Sequence, residues 1–157
     1  MRFYVILILI IPFFSWAQSD TDSLIINSEN QFRDSIAAIN IANEKQQFLE
    51  ESFNAATDFI KLEDYPNAIK SLNKVLSIDT NYVDAYFNRA ICYQKSNHFN
   101  LAISDFNVVY SLDSTRIDAL FEQARYFMDN NYIKEAEQLF LKILILSPNH
   151  VQSAYEL

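Results

Sequence analysis

Ala68, Ala102 and Ala136 stand 34 residues apart, and Ala56, Ala90 and Ala124 keep the same interval twelve positions upstream. Two small-residue ladders in one register are an internal repeat. An alanine that recurs once per unit marks a helix crossing too close for a larger side chain, so the chain reads as a stack of near-identical helical pairs. Such a stack offers an extended binding surface more readily than a catalytic cleft.

The ladders fix a frame of three units, 49–82, 83–116 and 117–150, with no insertion or deletion between them. Position 11 holds Phe59, Tyr93 and Phe127; position 24 holds Leu72, Phe106 and Phe140; position 27 holds Val75, Val109 and Ile143; position 30 holds Ile78, Leu112 and Leu146. These apolar columns fall at spacings of three and four, one face of each of two helices at about positions 1–14 and 18–30. Position 15, between the helices, is Glu63, Asn97 and Asn131. Asparagine is the residue that best accepts the left-handed conformation after a helix when glycine is absent, and this chain has no glycine. Asp64, Tyr65 and Pro66 read as an N-cap followed by proline in a first turn. Thr80, Ser114 and Pro148 stand where the second helix has ended.

In unit two, Tyr86, Ala90, Tyr93, Ala102, Phe106 and Val109 resemble the tetratricopeptide repeat, a 34-residue helix-turn-helix pattern. That pattern has a bulky residue at position 4, a small one at 8, an aromatic at 11, alanine at 20, an aromatic at 24, a small or β-branched residue at 27 and proline at 32. Ser52, Leu72 and the keeping of proline only at Pro148 depart from it. The resemblance covers 49–150 and implies an all-α, right-handed solenoid of three tandem repeats. It also implies a non-catalytic module that binds a protein or peptide in its concave groove.

Ahead of the repeats, Arg2 precedes an apolar run from Phe3 to Phe14, then Ser15, Trp16 and Ala17. This order is that of a secretory signal peptide over 1–17, cleaved after Ala17. The run contains Pro12 and falls short of the about 20 apolar residues of a membrane span, so no integral span is expected after cleavage. The mature chain would be exported, to a periplasmic or extracellular compartment. Its charge would go from −8 to −9 with the loss of Arg2, which disfavours nucleic acid as a partner. Cys92 is the single cysteine, which excludes an intramolecular disulfide. Residues 18–48 lose the repeat register and read as a polar linker and an N-terminal capping helix, opened by a Ser28/Gln31 capping box and continued by Phe32, Ile36 and Ile39. Residues 151–157 enter the first helix of a fourth unit, either as a closing helix or as the front of a longer protein for which the repeats are a docking or sensor arm.

No catalytic constellation is present: no nucleophile elbow, no zinc-helix motif and, without glycine, no phosphate-cradling loop. His98 and His150 are the only histidines and have no metal-ligand spacing, so neither a metal nor a cofactor is expected. The resemblance places positions 2, 5, 6 and 9 on the inner surface. Position 5 is Phe53, Phe87 and Phe121, which can be groove lining or packing. Position 2 is Glu50, Asp84 and Asp118, which can be an acidic contact rail or the acidic start that a helix dipole favours. With Asn88 and Arg125 they suit a partner that carries apolar and basic side chains. Self-association through the groove is a further expectation. The carboxylate clamp of the family's co-chaperones is not expected, because Phe53, Thr57, Asp118 and Glu122 replace its polar and basic residues and only Asn88 matches.

Overall fold

The computed structural model describes the backbone of residues 3–156 and the side chains of 22–156. The signal segment 1–17 and its cleavage site therefore lie outside the residues whose side chains are described. Every element is an α-helix: α1 (Phe3–Lys61), α2 (Tyr65–Ile78), α3 (Val83–Lys95), α4 (Phe99–Leu112), α5 (Ile117–Asp129), α6 (Ile133–Leu146) and α7 (Val151–Tyr155). The chain divides into two units, 1–46 and 47–157. The second unit holds the repeats.

Helices α2 to α6 begin and end within a residue of their places in the 34-residue frame, and α1 ends at its place in unit one. The turns explain why. Glu63, Asn97 and Asn131 adopt φ of 58°, 60° and 63°, the left-handed conformation expected at position 15. That geometry lets the next residue's N–H reach back five residues to cap the helix: Asp64 N to Phe59 O at 2.9 Å, His98 N to Tyr93 O at 2.8 Å and Tyr132 N to Phe127 O at 2.9 Å. Asn97 and Asn131 tolerate this conformation, whereas Glu63 adopts it at a cost of about 1 kcal/mol or more. Asp64 caps α2 as the sequence indicates, accepting from the Asn67 N–H at 3.3 Å, with Pro66 in the first turn. Between units, Asp79 and Asp113 fold the chain through the same turn: each carboxylate accepts from the N–H two residues on, at 2.9 Å to Asn81 and 2.9 Å to Thr115.

The six ladder alanines are fully buried, as are the columns Leu72, Phe106, Phe140 and Val75, Val109, Ile143. Burying each of these larger side chains stabilises the fold by about 1.5–3 kcal/mol. Three clusters follow one another along the array: the first two join the helices of one repeat to the next, and the third lies within unit three, with Tyr110 of unit two packed against it. Cys92 is buried among them, and burial raises its thiol pKa to about 11. Position 30 does not hold the core along its length: Ile78 is half-buried, but Leu112 and Leu146 are exposed at the helix ends.

The N-terminal stretch differs from expectation. Residues 18–48 form neither a linker nor a separate capping helix; they are the interior of α1, whose 59 residues have no break. No glycine stands anywhere in the chain, and no proline occurs between Pro12 and Pro66, so no breaker stands in 13–61 to end the helix. Ser28 is not an N-cap, because its hydroxyl donates back to the Ile25 carbonyl at 2.7 Å. Leu24, Ile25, Phe32, Ile36 and Ile39 are exposed. Among the described residues no helix is long and apolar enough to cross a membrane.

Candidate functional site

Phe53, Phe87 and Phe121 do not form a bare ladder. Phe53 and Phe87 are half-buried and pack against the first and second clusters, and Phe121 is buried in the third at 9% exposure. Phe87 meets Phe106 edge-on at 6.0 Å, and Phe121 meets Phe140 at 5.9 Å, so position 5 packs on position 24 of its own unit.

The outer side of each ring is covered by position 34, the last residue of the same unit. Tyr82 lies 5.1 Å from Phe53, the Arg116 guanidinium lies 4.9 Å over Phe87, and His150 lies 5.2 Å from Phe121. Tyrosine, arginine and histidine share no hydropathy, so this column carries no signal in an apolar pattern. They share a flat face that stacks on an aromatic ring.

The acidic rail is tied to the same column. Arg116 joins two of its members, with Nη1 2.6 Å from Asp84 and Nη2 2.9 Å from Asp118, while its Nε reaches Asp118 at 3.0 Å. These bonds, first the one to Asp118, raise the Arg116 pKa, so it carries its charge at every accessible pH. Tyr82 occupies the matching place between Glu50 and Asp84; burial first, then those carboxylates and Asp79, raises the pKa of its hydroxyl. Asp84 and Asp118 remain exposed beside their shared guanidinium. Asn88 is half-buried, and Arg125 is exposed, 3.7 Å from Glu122 and 6.0 Å over Phe121. The structure thus gathers the position-2, position-5 and position-34 residues into a stacked, acidic strip along the first helices. Among the described residues no group of His, Cys, Asp and Glu could hold a metal ion.

A second polar cluster lies on the opposite side of the first helices, which residue type alone does not reveal. Arg89 donates to Asp105 through Nε at 2.7 Å and Nη2 at 2.8 Å, and to Asn73 at 2.6 Å, with the rings of Tyr86 and Tyr93 5.3 and 5.8 Å away. The hydrogen bond to Asp105 raises the Arg89 pKa. In the next unit Gln123 repeats only part of this, donating to Asn107 at 3.1 Å.

Comparison with known proteins follows the same repeat frame. Residues 57–97 match a family model described as a TPR repeat, and residues 83–116 match one described as a tetratricopeptide repeat. A search of the curated proteins finds no match. Solved structures share the fold. The first TPR of Spaghetti (RPAP3), bound to the HSP90 peptide SRMEEVD, is 23% identical with a TM-score of 0.63, covering 70% of this chain and 87% of that one. The second TPR domain of human RPAP3, in complex with the HSP70 peptide SGPTIEEVD, is 22% identical with a TM-score of 0.64, covering 71% and 93%. The Yersinia enterocolitica type III secretion chaperone SycD, in complex with a peptide of the translocator YopD, is 17% identical with a TM-score of 0.64, covering 69% and 88%.

Proposed function

We propose, from the premise that this chain belongs to the tetratricopeptide-repeat family, that it is a non-catalytic protein-interaction scaffold in an exported compartment. Its groove holds a peptide or helix that presents basic side chains. The observation that carries this reading is the strip of Glu50, Asp84 and Asp118 beside phenylalanines capped by position 34. Two of these carboxylates are exposed around a single guanidinium, which leaves the strip net negative and accessible. A cationic partner gains there both attraction and orientation. The solved neighbours support a peptide as the partner, since three of them hold one. They do not support the same peptide. SRMEEVD and SGPTIEEVD are acidic toward their C-termini, and this strip would repel them.

Affinity capture with the chain is expected to recover a protein partner. Asp84→Lys combined with Asp118→Lys is expected to lose that partner while the far-UV circular dichroism stays unchanged, because both residues are exposed. Retention of the partner by the charge-reversed variant would refute the acidic strip as the contact.

The export reading rests on the order of charge, apolar run and small residues over 1–17. N-terminal sequencing of the protein recovered outside the cytoplasm should then begin at Gln18. A mature chain that still begins at Met1 would sink it.

A further inference from the structure

The repeats give two versions of one site. On the side of α3 away from the groove, positions 4, 7 and 11 face the second helices of their own unit and the one before. Tyr86, Arg89 and Tyr93 stand at those positions, and the Arg89 guanidinium fills the space between α2 and α4, held by Asn73 and Asp105. One repeat later the same positions on α5 are Leu120, Gln123 and Phe127. Gln123 is shorter than arginine, and Leu139 stands where Asp105 stood. The result is an open cleft of about 330 Å³ between α4 and α6, floored by α5.

Two of the four groups that surround the guanidinium in the first version, the asparagine and the position-11 ring, persist in the second, while Leu120 replaces Tyr86 and Leu139 replaces Asp105. Asn107 occupies the place of Asn73 and presents the same amide oxygen, here accepting from Gln123. Phe127 and Tyr110 supply flat walls. The lost carboxylate reappears one turn earlier on the same face of α6: Glu135, four residues before Leu139, lines the cleft and has no ion pair among the described residues. The lone cation on the wall, Lys142, lies two turns from Glu135 with its ammonium 3.9 Å over the Tyr110 ring. It occupies the far end of the cleft and leaves the Glu135 end negative.

We infer that this cleft is a docking site for an arginine side chain of a partner protein, which enters in trans the place that Arg89 fills in cis one repeat earlier. The guanidinium lies against the Phe127 ring, donates to Asn107 and pairs with Glu135 at the end of the cleft away from Lys142. An ammonium fits less well, because it cannot stack as a plane or donate in a fork. The site is on the reverse of the first helices from the acidic strip, so it does not depend on the groove being the functional surface.

The test uses the full ¹⁵N-labelled chain and N-acetylarginine amide as the probe, with N-acetyllysine amide as the control. Chemical-shift changes are expected at the Asn107 and Gln123 side-chain amides and around Glu135, at least about fivefold weaker for the lysine probe. Gln123→Arg with Leu139→Asp rebuilds the filled version and should abolish the response while the remaining amide spectrum is retained. Glu135→Gln, an exposed substitution that leaves the fold in place, should weaken it about tenfold. Equal responses to the two probes, shifts scattered over the surface, or an undiminished response in either variant would overturn the inference.

Discussion

Replacing Phe53, Phe87 and Phe121 together by alanine is expected to unfold the repeats rather than to leave a helical array that merely binds less. Phe121 is buried against Phe140 and His150, and a buried Phe→Ala change costs about 3–5 kcal/mol. Phe53 and Phe87 are half-buried, and each loses a stacking partner as well, so about 1–2 kcal/mol apiece is reasonable. The sum, roughly 5–9 kcal/mol, is comparable to the whole stability of a domain this size. Thermal melts followed by circular dichroism should show Phe121→Ala as the most damaging single change and no cooperative transition in the triple variant. Because a solenoid's stability is nearly a sum over neighbouring units, Phe121→Ala should loosen α5, α6 and α7 before the rest. A triple variant that melts like the parent protein would place the rings outside the core and restore them as bare groove lining.

That expectation shows where the sequence is readable and where it is not. Repetition averages over three units, so anything that recurs in kind stands out: the alanines, the apolar columns and the left-handed turn at Glu63, Asn97 and Asn131. Position 5 recurs as phenylalanine, yet its meaning depends on what lies over it, and Tyr82, Arg116 and His150 recur only in shape. Residues 18–48 fail for a different reason. Without a second unit to compare, Ser28 and Gln31 read as a cap, although the absence of any glycine or proline between Pro12 and Pro66 favours a helix without a break. A capping pair starts a helix only where the preceding residues are not already helical, and here they already are.

The ion pair of Arg89 and Asp105 carries the second large effect. Asp105→Leu replaces the carboxylate by the apolar residue that stands at this place one unit later, and it leaves the Arg89 guanidinium, 18% exposed, with Asn73 as its remaining acceptor. Stranding one partner of a fully buried pair costs about 3–5 kcal/mol, and the partial exposure of Arg89 reduces that to about 2–4 kcal/mol. The chain itself supplies the remedy. At the equivalent places one unit later stand Gln123 and Leu139, which pack without an ion pair, so Arg89→Gln added to Asp105→Leu should recover most of the loss. Chemical denaturation of the two single variants and the double variant should therefore give a coupling of at least about 1.5 kcal/mol. Losses that simply add would mean that Arg89 relaxes into solvent and that the pair contributes little. These residues escape sequence reasoning for the reason that makes them informative. Position 7 is Ala55, Arg89 and Gln123, and position 23 is Ser71, Asp105 and Leu139, so neither column repeats. What recurs is the pairing of the two columns across a helix interface, and each unit settles that pairing differently: arginine with aspartate in one, glutamine with leucine in the next.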